Sequence, residues 1–117
     1  MSEQFDRQAA DRTAAEWRYI ITDMICRAGS GHIGGALSLV EILYSLYNRI
    51  MNVDPSNPKA PDRDRLVLSK GHAAPVLYVA LAYKGFIEPS LLGTMNADGT
   101  TLPSHADART VPGIDAT

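Results

Sequence analysis

The sequence predicts an α/β fold, incomplete and helix-rich in this chain, and three observations predict it. Apolar residues recur with helical spacing in several separate stretches. One short apolar run, Leu66-Val67-Leu68, leads into Gly71-His72 and then another helical stretch, which is the order strand, turn, helix. Residues 96–117 are rich in Gly, Pro, Ser, Thr and Asp and carry no periodicity of their own.

The first stretch, residues 2–28, places Phe5, Ala9, Trp17, Ile20, Ile21, Met24 and Ile25 on one helical stripe with charges between them. Residues 28–35 contain four glycines, which should stop that helix in a loop. Ser38 is placed as an N-cap with Glu41 as its capping-box partner, and Leu39, Ile42, Leu43, Leu46, Tyr47 and Ile50 then carry a second helix to about Met51. Pro55, Pro58 and Pro61 forbid helix through the next segment, which reads as a surface loop ending in Asp62-Arg63-Asp64-Arg65. The run Leu66-Val67-Leu68 reads as a buried strand, with Gly71 and His72 at its end. A turn in that position lies at the carboxyl edge of a sheet, where open α/β folds put their ligands. A helix over 73–84 with Gly85 as C-cap follows, then a short one from Pro89 to about Met95.

One strand is too little sheet for an independent α/β domain, because a parallel sheet needs several strands covered on both faces. A tail of some twenty residues with little structure of its own is also uncommon in a compact domain. Both lead to the expectation of a chain that normally continues.

The chain has 117 residues, 45% of them apolar and 21% charged, so it can contribute to a core and is not disordered throughout. Its net charge of −2 provides no field for a phosphate backbone, which argues against general nucleic-acid binding. Cys26 is the sole cysteine, which excludes an intrachain disulfide and a thiolate metal cluster and suggests a reducing, cytoplasmic setting. Charges interrupt the N-terminal residues, and no stretch approaches the roughly 20 apolar residues of a membrane span.

All three histidines, His32, His72 and His105, fall on predicted loops beside Gly, Ser or Pro. An imidazole can donate to a phosphate oxygen or pass a proton near neutral pH, whereas a core or capping role is the plain alternative for each. Separations of 40 and 33 residues lack the local spacing of zinc ligands. The loop over 29–35 could cradle an anion through its backbone N–H groups, or could be only a tight interhelical turn. It lacks the Gly-Lys-Ser/Thr end of a P-loop and follows a helix where a dinucleotide fingerprint follows a strand.

Ser30-Gly31-His32 followed by Gly34-Gly35, Asp54-Pro55 to Asn57-Pro58, Asp62-Arg63-Asp64-Arg65 leading to Leu68-Ser69-Lys70-Gly71-His72, and Val111-Pro112-Gly113-Ile114-Asp115-Ala116-Thr117 together resemble the transketolase family. The Ser-Lys-Gly-His form is similar to its split members, in which separate N- and C-terminal subunits replace one long chain. The resemblance implies the N-terminal part of a doubly wound α/β domain that binds thiamine diphosphate. It also implies a C-terminal subunit or domain as partner, a homo-oligomer of the assembled enzyme, and sugar phosphate substrates.

Carried onto this chain, the resemblance puts His72, with Gly71 and Ser30, on the cofactor diphosphate. It puts His32 between that diphosphate and the reacting sugar, and His105 on a donor-sugar hydroxyl. Two departures stand out: Ser104-His105-Ala106 where the family usually has Gly-His-Pro, and Ile33 where it commonly has Pro. The family's Mg²⁺ motif would lie past Thr117, and its activating Glu in the other half, so the expectation is no metal ligand here and no turnover by this chain alone. Two alternatives stay open: a non-catalytic truncated fragment or interaction module, and a related thiamine enzyme with another acceptor.

Overall fold

The computed structural model of the chain describes residues 6–29, 33–95, 97, 100, 102–103 and 111–114. Helix α1 (Arg7–Ala28) opens on Asp6, whose carboxylate accepts from the Ala9 N–H at 3.1 Å. It therefore starts later than the apolar stripe suggests, because the capping carboxylate sets the boundary. It closes on Gly29 at φ 80°, whose N–H reaches the Ile25 and Cys26 carbonyls. Its stripe is Ala14, Trp17, Ile21 and Met24, all buried.

The glycine-rich segment departs from the expected loop. Helix α2 (Ile33–Leu37) already includes Gly34 and Gly35, although Gly costs about 1 kcal/mol in a helix interior relative to Ala. Packing decides the matter: Ala36 is fully buried, and α2 lies on both the Gly71–Ala73 turn and helix α4 (Ala74–Lys84).

The expected capping box at Ser38 does not form. Ser38 follows a helical turn, where the free backbone groups are carbonyls, so its hydroxyl donates to the Gly35 carbonyl at 2.9 Å. Leu39 occupies the N-cap of helix α3 (Val40–Ser45) without a side-chain cap. Glu41 instead accepts from Arg18 of α1 at 2.6 Å. The helical path continues through a wider π turn, Leu46–Ile50, and ends where Met51 turns extended, at the predicted place.

Residues 51–70 are irregular, as their prolines require. The Asn52 N–H donates to the Asp64 carboxylate at 2.6 Å, while the Asp64 N–H donates to the Asn52 carbonyl at 2.8 Å, tying the two ends of the proline segment together. Asp54 accepts from both the N–H and the hydroxyl of Ser56, which holds its carboxyl below the usual range.

The buried strand expected at Leu66-Val67-Leu68 is not formed. Among the described residues only Val67 makes an isolated bridge, and Val67 is 58% exposed. Alternating side-chain direction in an extended chain turns Leu66 and Leu68 onto the helices and Val67 away from them. Three apolar residues in a row looked buried on both faces, and one face is not.

Helix α4 is the hub. It packs against α1, α2, α3, the Leu46–Ile50 turn and the 3₁₀ turn Pro89–Thr94. Nine consecutive residues from Ala74 to Ala82 are buried, as expected of a helix that is apolar all round. Gly85 at φ 107° ends it, as predicted. Around it Trp17 meets Tyr44 and Tyr83 edge-on at centroid distances of 5.6 and 5.5 Å.

Parts of the segment read as an unstructured tail belong to this core. Leu102, Val111 and Ile114 are buried, and the Tyr78 hydroxyl donates to the Pro103 carbonyl. Gly113 sits at φ 93°, where a Cβ would stand 2.8 Å from Leu81 Cδ2 and 3.0 Å from the Phe86 ring. Both backbone conformation and space demand glycine there.

Candidate functional site

The segment before α4 is built for exposure in front and burial behind. Gly71–Ala73 forms a single 3₁₀ turn, with the Ala73 N–H on the Lys70 carbonyl at 2.9 Å and the Gly71 N–H on the Ser69 carbonyl at 3.1 Å. Ala73 and Ala74 are fully buried, which seats the turn on the core, while His72 is exposed. The strand-end position expected for His72 is thus replaced by a helical turn leading straight into α4.

Helix α2 packs on this turn. The exit of the glycine-rich loop and the Gly71-His72 motif, separated by some forty residues of sequence, therefore share one edge. Lys70 links them: its Nζ lies 3.4 Å from Ser38 Oγ, and a Cβ on Gly35 would be 3.6 Å from Lys70 Cε and 3.7 Å from Nζ. Among the described residues no carboxylate pairs with the Lys70 ammonium.

Of the predicted site residues, His72 and Gly71 stand at this edge. Ser30, His32 and His105 lie outside the described residues. Lys70 and Ser38 were not singled out as site residues from sequence. Lys70 stands inside the Ser-Lys-Gly-His motif and could have been found by asking where its charge goes; Ser38 carried a competing capping signal.

Elsewhere a cavity of about 310 Å³ opens between α1 and α3, lined by Arg7, Ala10, Asp11, Ala14, Glu41, Tyr44 and Ser45, with no predicted site residue in its wall. Glu41 there is held below the usual carboxylate range by its hydrogen bond from Arg18. Among the described residues no group of three or more His, Cys, Asp or Glu converges as a metal site. None of the helices among them is long and apolar enough to cross a membrane.

The exposed edge suits an anion. A cation with no carboxylate beside it among the described residues and an exposed imidazole two residues on are groups that can donate to an anionic ligand. His72 and Lys70 could hold such a group, and Gly35 lies at contact distance from the lysine side chain.

Comparison with known proteins is consistent with that chemistry. Residues 9–117 match the family described as Transketolase, thiamine diphosphate binding domain. The chain is 54% identical over 100 residues to the 6-deoxy-6-sulfo-D-fructose transketolase subunit of Clostridium sp. (strain MSTE9), covering 86% of this chain and 36% of that protein. It is 43% identical over 95 residues to one subunit of the apulose-4-phosphate transketolase of Phocaeicola vulgatus, covering 81% and 34%. The solved transketolase from Leishmania mexicana superposes with a TM-score of 0.85 at 26% identity, over 90% of this chain and 16% of that one. The chain thus spans about a third of the subunits it resembles and a smaller part of the long-chain enzyme.

Proposed function

Because the chain belongs to the transketolase family, in its thiamine-diphosphate-binding N-terminal section, we propose that it serves an enzyme transferring a two-carbon ketol unit between sugars. The observation that carries this reading is the packing of α2 on the Gly71–Ala73 turn, which puts two distant motif segments on one exposed edge. Two relatives are named for a sulfonated and a phosphorylated sugar, which supports donors or acceptors bearing an anionic group.

In this proposal the bound cofactor supplies the electron sink for carbon–carbon cleavage. His72 donates to a diphosphate oxygen, and Gly71 keeps the approach to the turn free of a side chain. Ser30 joins them on the cofactor. His32 and His105 act on sugar oxygens, donating as charge develops or moving a proton. Mg²⁺ would serve as the diphosphate's counter-ion. A C-terminal subunit or domain completes the site in a cytoplasmic homo-oligomer, and the isolated chain has no turnover.

His72→Ala in the assembled enzyme tests the central assignment. The expected result is weaker thiamine diphosphate binding by calorimetry with a matching loss of ketol transfer. Unchanged affinity and activity would remove His72 from the site. Ketol transfer by the isolated chain would refute its proposed dependence on a partner.

A further inference from the structure

We propose that Tyr78 is a positioning residue for the reaction, its hydroxyl anchoring the segment that leads to His105 onto helix α4, the helix that His72 precedes. The inference rests on the proposed function, in which His105 acts on a sugar oxygen, and gives a role to a buried group that the histidine frame leaves unused.

Tyr78 is the fifth residue of α4 and is fully buried. Its hydroxyl donates to the Pro103 carbonyl, 25 residues on. Proline has no N–H, so that carbonyl is the one backbone group through which residue 103 can be hydrogen-bonded. His105 itself lies outside the described residues, but it follows Pro103 by two positions, and two residues of chain span about 7 Å at most.

A second set of bonds fixes the same stretch. Thr94 Oγ1 gives its only proton to the Leu91 carbonyl at 2.6 Å, so in the 2.9 Å contact between the two threonines the Thr100 hydroxyl is the donor. The Thr100 oxygen accepts in turn from the Leu102 N–H at 3.0 Å, and the Leu102 side chain is fully buried. The chain thus reaches Pro103 held by a side chain in the core, by a backbone N–H and, through Tyr78, by a carbonyl.

Packing alone does not call for a tyrosine here. The other buried residues of α4, from Ala74 to Ala82, carry no polar side-chain atom, and a phenylalanine would fill the same volume with no hydroxyl to satisfy. Side chains on a helix lean toward its N-terminus, which directs the Tyr78 ring to the end of α4 where His72 stands. One rigid helix therefore carries His72 at its head and, by this bond, the approach to His105. In the proposed function that sets the spacing between the cofactor contact and the sugar contact.

The test uses the complete enzyme carrying this chain, with Tyr78→Phe, His105→Ala and the double variant. Ketol transfer is followed with fructose 6-phosphate and its 6-deoxy-6-sulfo analogue as donors and glyceraldehyde 3-phosphate as acceptor, while calorimetry reads thiamine diphosphate affinity. Loss of a buried hydrogen bond that orients a substrate contact should lower kcat/KM for the donor by about tenfold in Tyr78→Phe. Cofactor affinity should stay at the wild-type value, and in the His105→Ala background the same substitution should lower kcat/KM no further. A donor kcat/KM equal to wild type in Tyr78→Phe, beside a His105→Ala variant that has lost it, would overturn this inference alone. So would an equal loss in both backgrounds, the mark of a tyrosine that serves stability only. His105→Ala with wild-type kinetics, or a wild-type enzyme that transfers no ketol unit from either donor, would overturn the functional reading and this inference with it.

Discussion

Helix α4 and the turn that precedes it are consecutive in sequence and opposite in character. Ala74 to Ala82 are buried on every side, whereas Lys70 and His72 are exposed and polar. The helix commits its side chains to packing; the turn presents its polar side chains to solvent. Ala73, fully buried, is the joint that fixes the turn rigidly to the helix. A residue that binds a ligand can be exposed and still well positioned, because its neighbour is locked into the core.

Substitutions in the assembled enzyme put this contrast to the test. The largest effect belongs to the packing around the hub. Trp17→Ala removes a fully buried indole and its two edge-on ring contacts, and should destabilise by about 3–5 kcal/mol in chemical denaturation. A loss near zero would mean that α1 does not form a common core with α4.

Gly113→Ala comes next. The added methyl meets Leu81 and Phe86 and must also adopt φ 93°, so a cost of about 1–3 kcal/mol is expected from the unfolding midpoint. An unchanged midpoint would detach residues 111–114 from the hub. His72→Ala should be the mirror image: cofactor affinity falls while stability stays within about 0.5 kcal/mol, as for an exposed site, read by paired calorimetry and denaturation.

The smallest effect concerns acid. Arg18 depresses the Glu41 pKa, so the pair stabilises the fold above the unfolded value near 4.5, and that contribution is lost as pH falls through the depressed folded value. Both side chains are well exposed, so solvent screening limits the contribution to about 0.5 kcal/mol or less. The difference in stability between wild type and Glu41→Gln should therefore narrow between pH 7 and pH 3, and a gap that widened would assign the opposite sign.

The α1 stripe, its stop at Gly29, the end of the second helical stretch near Met51, the proline loop, α4 with its Gly85 cap and the turn at Pro89 were all legible in the sequence. Each depends on local rules: periodicity, a left-handed glycine, or a missing N–H. Three readings failed, and a contact distant in sequence had a part in each. Gly34 and Gly35 are helical because α2 packs on α4; Ser38 reaches back to Gly35 while Glu41 goes to Arg18; Val67 faces out because Leu66 and Leu68 face the helices. Of the candidate site, the Gly71-His72 motif was legible in the sequence, while the position of the Lys70 ammonium depends on a neighbour thirty-two residues away.

The order of residues alone specified where the helical stretches ending at Gly29, Met51 and Gly85 must stop, together with a family likeness that the comparisons support. Packing in three dimensions settled which glycines are helical, that Leu102, Val111 and Ile114 join the core, and that the Lys70 ammonium stands beside Gly35 and Ser38. Caps and periodicity act over a turn or two of chain, whereas burial and the placement of a charge depend on groups brought together only when α2, α4 and the turn between them have packed.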